Sequence, residues 1–283
     1  MALRVGFVGL GNQGKPIATQ YARAGLETTV YDISKPAMDD LVVEGASAAA
    51  TPAEVGGRSD VVGICVPADH HVREVCLGEQ GLLATMEPGG VIAIHSTIQP
   101  ETAREMAAEG AKTGVGVLDA CVTGGAAAAE AKSLTFMVGG EAADLEKARP
   151  IIDVTAKSVI HAGPVGRGCI LKLCINLITY TLWSAAHESA ELAEAAGLPL
   201  ELLEQAGVSN GQITPMMKQF LAARGVPEDV RASEAYQTIM RSHTAIAEKD
   251  LDWALALARK SGVRLPVAGL LAQRMDEIYG IAE

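Results

Sequence analysis

The sequence predicts an α/β domain built on a mainly parallel sheet, joined by one long helix to an all-helical domain. Three observations predict it. Short strand-like runs alternate with helical patterns through the first 160 residues, the alternation stops at Gly163-Pro164, and every later segment has helical periodicity. With 283 residues, 49% of them apolar, the chain can bury one large core or two medium ones. Aromatic residues make up only 4% while glycine and alanine abound, which suits closely packed helices and strands rather than a β-sandwich.

Taken in order, residues 4–8 read as the first strand, 15–24 as a helix and 28–31 as the second strand. Further strands are expected at 61–66, 91–94, 115–118, 135–138 and 159–161, with helices at 36–44, 53–57, 70–77, 100–111 and 143–154 between them. From residue 168 to about 196 no breaker interrupts the helical pattern until Gly197, a fitting C-terminal stop. A helix of that length spans about 40 Å. Helices then follow at 200–206, 214–223, 233–260 and 267–279. The domain boundary is therefore placed at residue 164, giving domains of 1–164 and 165–283.

Charge and cysteine usage exclude several classes. Residues 1–165 carry 12 basic and 20 acidic groups, and residues 166–283 carry 11 and 14. Neither half is basic, which argues against a nucleic-acid partner. Cys65, Cys76, Cys121, Cys169 and Cys174 form no CxxC pair and no zinc spacing, so no metal site is expected and reduced thiols in the cytoplasm are. The N-terminus shows no signal-peptide pattern. The most apolar stretch, 169–183, is interrupted by Lys172 and Asn176, which fits a buried helix better than a membrane span.

Gly9-Leu10-Gly11-Asn12-Gln13-Gly14 is a GxGxxG motif set directly between a strand and a helix. Gly9 permits the tight turn, Gly11 lets the backbone approach a pyrophosphate, and Gly14 allows the helix to pack on the strand. The helix N-terminus adds free N–H groups and a positive dipole. This is the signature of a Rossmann-type domain. Asp32, 18 residues beyond Gly14, closes the second strand. A carboxylate there accepts hydrogen bonds from the ribose hydroxyls and repels a 2′-phosphate, so NAD is expected over NADP; the alternative is a solvated turn aspartate. Further on, Lys172 and Asn176 stand four apart among Leu, Ile and Cys and so share one helix face. Apolar surroundings lower a lysine pKa toward neutrality and suit it to acid–base work. The alternative is a lysine that snorkels to the surface.

Five motifs in order carry a resemblance over nearly the whole chain. The opening from Gly6 to Pro16 resembles GFIGLGxMGxPMA. Asp119-Ala120-Cys121-Val122-Thr123-Gly124-Gly125 resembles the substrate motif DAPVSGG. The run from Gly163 to Lys172, with Asn176, resembles GxxGxGxxxKxxxN. Lys249-Asp250-Leu251 resembles a KDL cofactor contact, and Val66-Pro67 and Ser96-Thr97-Ile98-Gln99-Pro100 match the loops after two further strands. Together they resemble the β-hydroxyacid dehydrogenase family, which includes 3-hydroxyisobutyrate dehydrogenase and tartronate semialdehyde reductase. The resemblance implies an NAD-dependent oxidoreductase acting on a small carboxylate, with a cleft between domains and a homodimer or homotetramer as the assembly. It makes Lys172 the proton-transfer group, with Asn176 orienting Lys172 or the substrate. Ser96, Thr123, Gly124 and Gly125 would bind substrate. Gly9, Leu10, Gly11, Asn12, Gln13, Gly14, Asp32, Val66, Pro67, Thr97 and Lys249 would line the cofactor. Taken alone, the Thr123-Gly124-Gly125 run also reads as a tight glycine turn, and Lys249 as an ordinary helix-surface charge.

The chain departs from the family pattern at several places. Gln13 stands where methionine is usual, Cys121 where proline is usual, and Lys132 where glycine is usual. Met240-Arg241-Ser242-His243 occupies a stretch that often carries an aromatic residue, which makes Arg241 and His243 candidates for substrate choice. The chain stops at Glu283, where relatives usually continue. His70, His71, His95, His161 and His187 read as loop or packing residues without clear partners. An imine reductase-like enzyme and a non-catalytic dinucleotide-binding protein remain the alternatives. Lys172 disfavours the first, and the joint presence of Lys172, Asn176 and Thr123-Gly124-Gly125 the second. A 6-phosphogluconate-type decarboxylase would be much longer.

Overall fold

A computed structural model describes residues 3–281. Eight strands form one sheet: β1 (Arg4–Val8), β2 (Glu27–Tyr31), β3 (Ser47–Ala48), β4 (Val61–Ile64), β5 (Val91–Ile94), β6 (Gly116–Thr123), β7 (Leu134–Gly139) and β8 (Ala156–Gly163). Their spatial order is β3-β2-β1-β4-β5-β6-β7-β8. Every pair from β3 to β6 is parallel, β6 and β7 are antiparallel, and β7 and β8 are parallel again. All residues of β4 and β5 are buried, as expected for parallel strands covered on both faces.

Fourteen α-helices complete the described chain. Seven accompany the sheet: α1 (Gly14–Arg23), α2 (Lys35–Val43), α3 (Pro52–Gly57), α4 (Asp69–Leu77), α5 (Pro100–Lys112), α6 (Gly125–Glu130) and α7 (Ala142–Ile152). Then comes α8 (Arg167–Ala195), and after it α9 (Leu200–Ser209), α10 (Pro215–Ala222), α11 (Glu228–Arg231), α12 (Glu234–Ser261), α13 (Pro266–Leu271) and α14 (Met275–Tyr279). Local chemistry sets the ends. The hydroxyls of Thr51, Thr214 and Ser233 accept N–H groups at the starts of α3, α10 and α12, and Gly262 closes α12 in the left-handed region.

The chain divides into two compact units, residues 1–172 and 173–283, and the division falls inside α8 rather than at residue 164. In the first unit Phe7, Ile17, Tyr21, Val30, Leu41, Leu118 and Phe136 belong to one buried cluster. In the second, Tyr180, Ala247, Leu251, Leu271, Met275 and Ile278 form another, with the Trp183 ring stacked on Phe220 at 5.4 Å beside it.

Several element bounds differ from expectation. The strand expected at 61–66 ends at Ile64, because Cys65 and Val66 turn into a loop. The strand expected at 115–118 runs to Thr123, because β7 pairs with its far half. Helix α6, over Gly125–Glu130, falls where no element was expected, and the single helix expected at 267–279 is two, α13 and α14. Helix α8 is the one helix among the described residues long and apolar enough to cross a membrane by length and composition.

Candidate functional site

Strands β2, β1, β4, β5 and β6 run parallel, so their C-terminal ends share one edge of the sheet. Residues 9–14 follow β1, Asp32 follows β2, Val66 and Pro67 follow β4, Ser96 and Thr97 follow β5, and residues 123–125 close β6. The chain builds outward from β1 to β3, then returns to β4 on the other side of β1. In open α/β sheets that reversal marks the ligand crevice.

The three glycines of the loop are needed for different reasons. Gly9 has φ +95°, and a Cβ there would stand 2.2 Å from the Cys65 carbonyl oxygen, where the loop after β4 passes. A Cβ on Gly14 would stand 2.0 Å from the Gly9 carbonyl oxygen. At Gly11, by contrast, nothing among the described residues other than its chain neighbours lies within 4 Å of that position, and both Gly11 and Asn12 are exposed. Its missing side chain leaves room for a ligand, not for the fold. Beside it the Gln13 amide nitrogen is buried without a partner among the described residues. The Asp32 carboxylate stands against the loop, accepting the Leu10 N–H at 2.6 Å on one oxygen and the Ser34 N–H at 2.7 Å on the other. Each oxygen keeps a lone pair for a ribose hydroxyl. These residues fit a dinucleotide. The loops after β4 and β5 are tied together where the Val66 N–H donates to the Ser96 hydroxyl at 2.7 Å.

Strand β6 carries the next part of the site. Gly124 and Gly125 have φ of +128° and +75°, so the chain leaves Thr123 through a turn that side chains resist. Further back on β6, the wholly buried Asp119 accepts N–H groups from Gly166 and Cys169, each at 2.8 Å. Burial pushes its carboxyl above the usual range, and those two donors pull it back. A carboxylate at a helix N-terminus satisfies orphan donors and complements the dipole. It also fixes where α8 begins. Glycine is required there, because a Cβ on Gly168 would meet the Asp119 carbonyl oxygen at 2.3 Å. Lys172 follows one turn later and is half-buried, between the buried Cys169 and Leu173.

In the helical unit the polar groups converge on one carboxylate. Asp250 is 1% exposed. Its Oδ2 accepts the Asn176 side-chain amide at 2.6 Å and the Tyr180 hydroxyl at 3.0 Å. Its Oδ1 pairs with Lys249 at 3.0 Å, and the Lys249 ammonium lies 3.9 Å from the Trp253 ring centre. Lys249 is thus held on two sides rather than being a loose surface charge. Burial, and next the Asp250 charge, push the Tyr180 hydroxyl far above the usual tyrosine range.

Sequence reasoning gave no role to Asp119, Asp250 or Tyr180. The signal was present in two of them. Asp119 interrupts a buried strand, and Asp250 falls on the face of α12 that buries Ala247, Leu251, Ala254 and Ala258. An acid at an apolar position needs a partner. The histidines also have partners. His95 is buried, stacks on Phe7, meets Phe136 edge-on, and donates from Nδ1 to the Ala120 carbonyl at 3.0 Å. Burial lowers its pKa to about 4. His161 bonds the Gly140 carbonyl, His70 packs on His71, and His187 bonds Arg224. His187, Glu191 and Glu277 bring three potential ligand atoms together, but Arg224 and Arg274 hold the two carboxylates in an ion-pair network. Arg241 pairs with Glu234, while His243 is half-buried near Tyr279. Cys121 and Cys169 are buried thiols 3.8 Å apart, and all five cysteines are free. Exposed Lys132 adopts φ +54°, a left-handed conformation in which glycine is unstrained.

Strand, glycine turn and helix in this arrangement define a dinucleotide-binding domain. Comparison with known proteins agrees. Residues 4–163 match the NAD binding domain of 6-phosphogluconate dehydrogenase. The chain is 36% identical to the NAD-dependent L-serine dehydrogenase of Pseudomonas aeruginosa, covering 94% of this chain and 89% of that protein. It is 32% identical to 3-hydroxyisobutyrate dehydrogenase of the same organism, covering 99% and 93%. The crystal structure of 3-hydroxyisobutyrate dehydrogenase from Salmonella typhimurium superposes with a TM-score of 0.85 at 30% identity, covering 97% and 93%. The chain therefore belongs to the β-hydroxyacid dehydrogenase family of NAD-binding oxidoreductases.

Proposed function

We propose that the protein interconverts a small β-hydroxy acid and its semialdehyde or keto acid, with NAD as the hydride carrier and Lys172 as the general acid and base. The observation that carries this reading is that β6 does two jobs. It ends at Thr123, directly before Gly124 and Gly125, and through Asp119 it anchors the helix that bears Lys172. L-Serine and 3-hydroxyisobutyrate, named in the relatives, are both β-hydroxy acids, which supports the substrate class.

In this reading the Thr123 hydroxyl and the N–H groups of Gly124 and Gly125 hold the carboxylate, with Ser96 beside them. Bound NAD supplies the carbon that accepts or returns the hydride. Lys172 takes the hydroxyl proton in the oxidising direction and gives it back in the reducing one, and Asn176 orients Lys172 or the substrate. Residues 9–14 cradle the pyrophosphate, Asp32 accepts the ribose hydroxyls, and Val66, Pro67, Thr97 and Lys249 line the rest of the cofactor. A 2′-phosphate beside Asp32 would meet a negative charge, so NAD is preferred to NADP. The test is NADH formation at 340 nm with a panel of β-hydroxy acids. Turnover with at least one of them, and kcat/KM at least about tenfold higher with NAD than NADP, is expected; no turnover across the panel, or an NADP preference, contradicts it.

The reading includes a homodimer or homotetramer in the cytoplasm. Only 28% of the most apolar window of α8 is buried, and Ile178, Leu182 and Leu192 are exposed along it. Apolar surface on this scale favours a second copy as cover. Light scattering that returns a monomer near 29.3 kDa would remove this part.

A further inference from the structure

We infer that Asp250, supported by Tyr180, is a positioning residue that fixes which end of the Asn176 amide is available to the reaction; the inference rests on the role given to Asn176 above. Asn176 has two chemically opposite ends, an NH₂ donor and a carbonyl acceptor. Its Nδ2 gives one N–H to Asp250 Oδ2 at 2.6 Å and turns the other toward the Tyr180 hydroxyl oxygen at 3.5 Å, so both donors are committed. The carbonyl end is left as the working end. Asn176 is therefore an acceptor, suited to an ammonium or a hydroxyl and unsuited to a carboxylate or a carbonyl. Tyr180, one turn along α8, donates to the same Oδ2 at 3.0 Å and holds the carboxylate in place. The other oxygen pairs with Lys249 at 3.0 Å. One buried carboxylate thus sets both the residue read as a proton-transfer partner and the residue read as a cofactor contact. All four side chains lie in the helical unit, so this arrangement is intrinsic to it. The amide cannot swing round without bringing its carbonyl against the carboxylate.

The test is a set of variants read by kcat, by KM for the hydroxy acid, and by thermal melting. Asp250→Leu should lower kcat by about 30-fold with KM for the hydroxy acid within about threefold, whereas Asp250→Asn, which keeps an acceptor oxygen for Asn176 but sets its NH₂ against the Lys249 ammonium, should melt lower yet keep kcat at saturating NAD within about fivefold of wild type. The effects of Asn176→Ala and Asp250→Leu should not multiply, the double variant falling within about threefold of Asn176→Ala alone. If Asp250→Leu does not fold, Tyr180→Phe serves, with kcat lowered about fivefold and the same lack of additivity with Asn176→Ala. If Asn176→Ala is strongly impaired while Asp250→Leu and Tyr180→Phe keep wild-type kcat, or if the effects multiply, the positioning role is overturned and the catalytic reading stands. If Asn176→Ala itself keeps full activity, both fall together.

Discussion

Gly11 and Gly14 carry the same side chain, a hydrogen atom, for opposite reasons. A methyl group at Gly14 runs into the Gly9 carbonyl oxygen, a backbone atom that cannot move without opening the turn. A methyl group at Gly11 meets nothing among the described residues beyond its chain neighbours. Gly14→Ala should therefore cost at least about 3 kcal/mol of folding stability by chemical denaturation. Gly11→Ala should leave stability within about 0.5 kcal/mol and raise KM for NAD at least about tenfold. Equal loss of stability in both would contradict the assignment of Gly11 to the ligand. His95 makes a pH prediction. Its Nε2 is buried without a partner among the described residues, and its pKa is lowered to about 4, so the fold holds it neutral. Between the unfolded value of 6.5 and about 4, the unfolded chain binds a proton that the fold refuses. Stability from His95 is thus complete above pH 6.5 and is lost as pH falls through that window, by up to about 3 kcal/mol. The slope of stability against pH should flatten in His95→Gln, whatever that variant's baseline.

At the level of elements, α8 is held by its first turn. Asp119 supplies the acceptors for Gly166 and Cys169, and the strand that supplies Asp119 ends in the proposed carboxylate site. Asp119→Asn turns one acceptor into a donor facing a donor. It should cost about 2 kcal/mol and lower kcat, with NAD binding retained because the glycine loop is untouched. Wild-type kcat in a folded Asp119→Asn would show that the anchor does not govern Lys172. Much of this element order was legible beforehand. The parallel strands announce themselves as short apolar runs, and the glycine motif and the Lys172–Asn176 pair can be picked out by spacing, whereas Thr123 enters only through the family resemblance. What periodicity cannot show is pairing across long separations. Nothing near residue 119 says that its carboxylate meets residues 166 and 169, and nothing near residue 250 names Asn176 as its partner. The far half of β6 was missed for a related reason. Its register is set by β7, through antiparallel pairing that an alternation of strands and helices does not lead one to expect. The helix read at 267–279 failed because one apolar pattern runs through two short helices.

For the whole molecule, fold and chemistry have separate supports. The sheet orders its loops at one edge, and the helical unit keeps its own polar centre around Asp250. Family membership rests on the match over residues 4–163 and on relatives spanning nearly the full chain. The proton-transfer role proposed for Lys172 draws on its place one turn beyond the Asp119 anchor. The decisive measurement is single-turnover NADH formation by Lys172→Ala beside wild type, with NAD affinity followed in the same samples through tryptophan fluorescence, since Trp253 packs against Lys249. A rate at least about 1,000-fold lower with NAD affinity within about threefold is the predicted result. A rate within about tenfold of wild type would contradict the account.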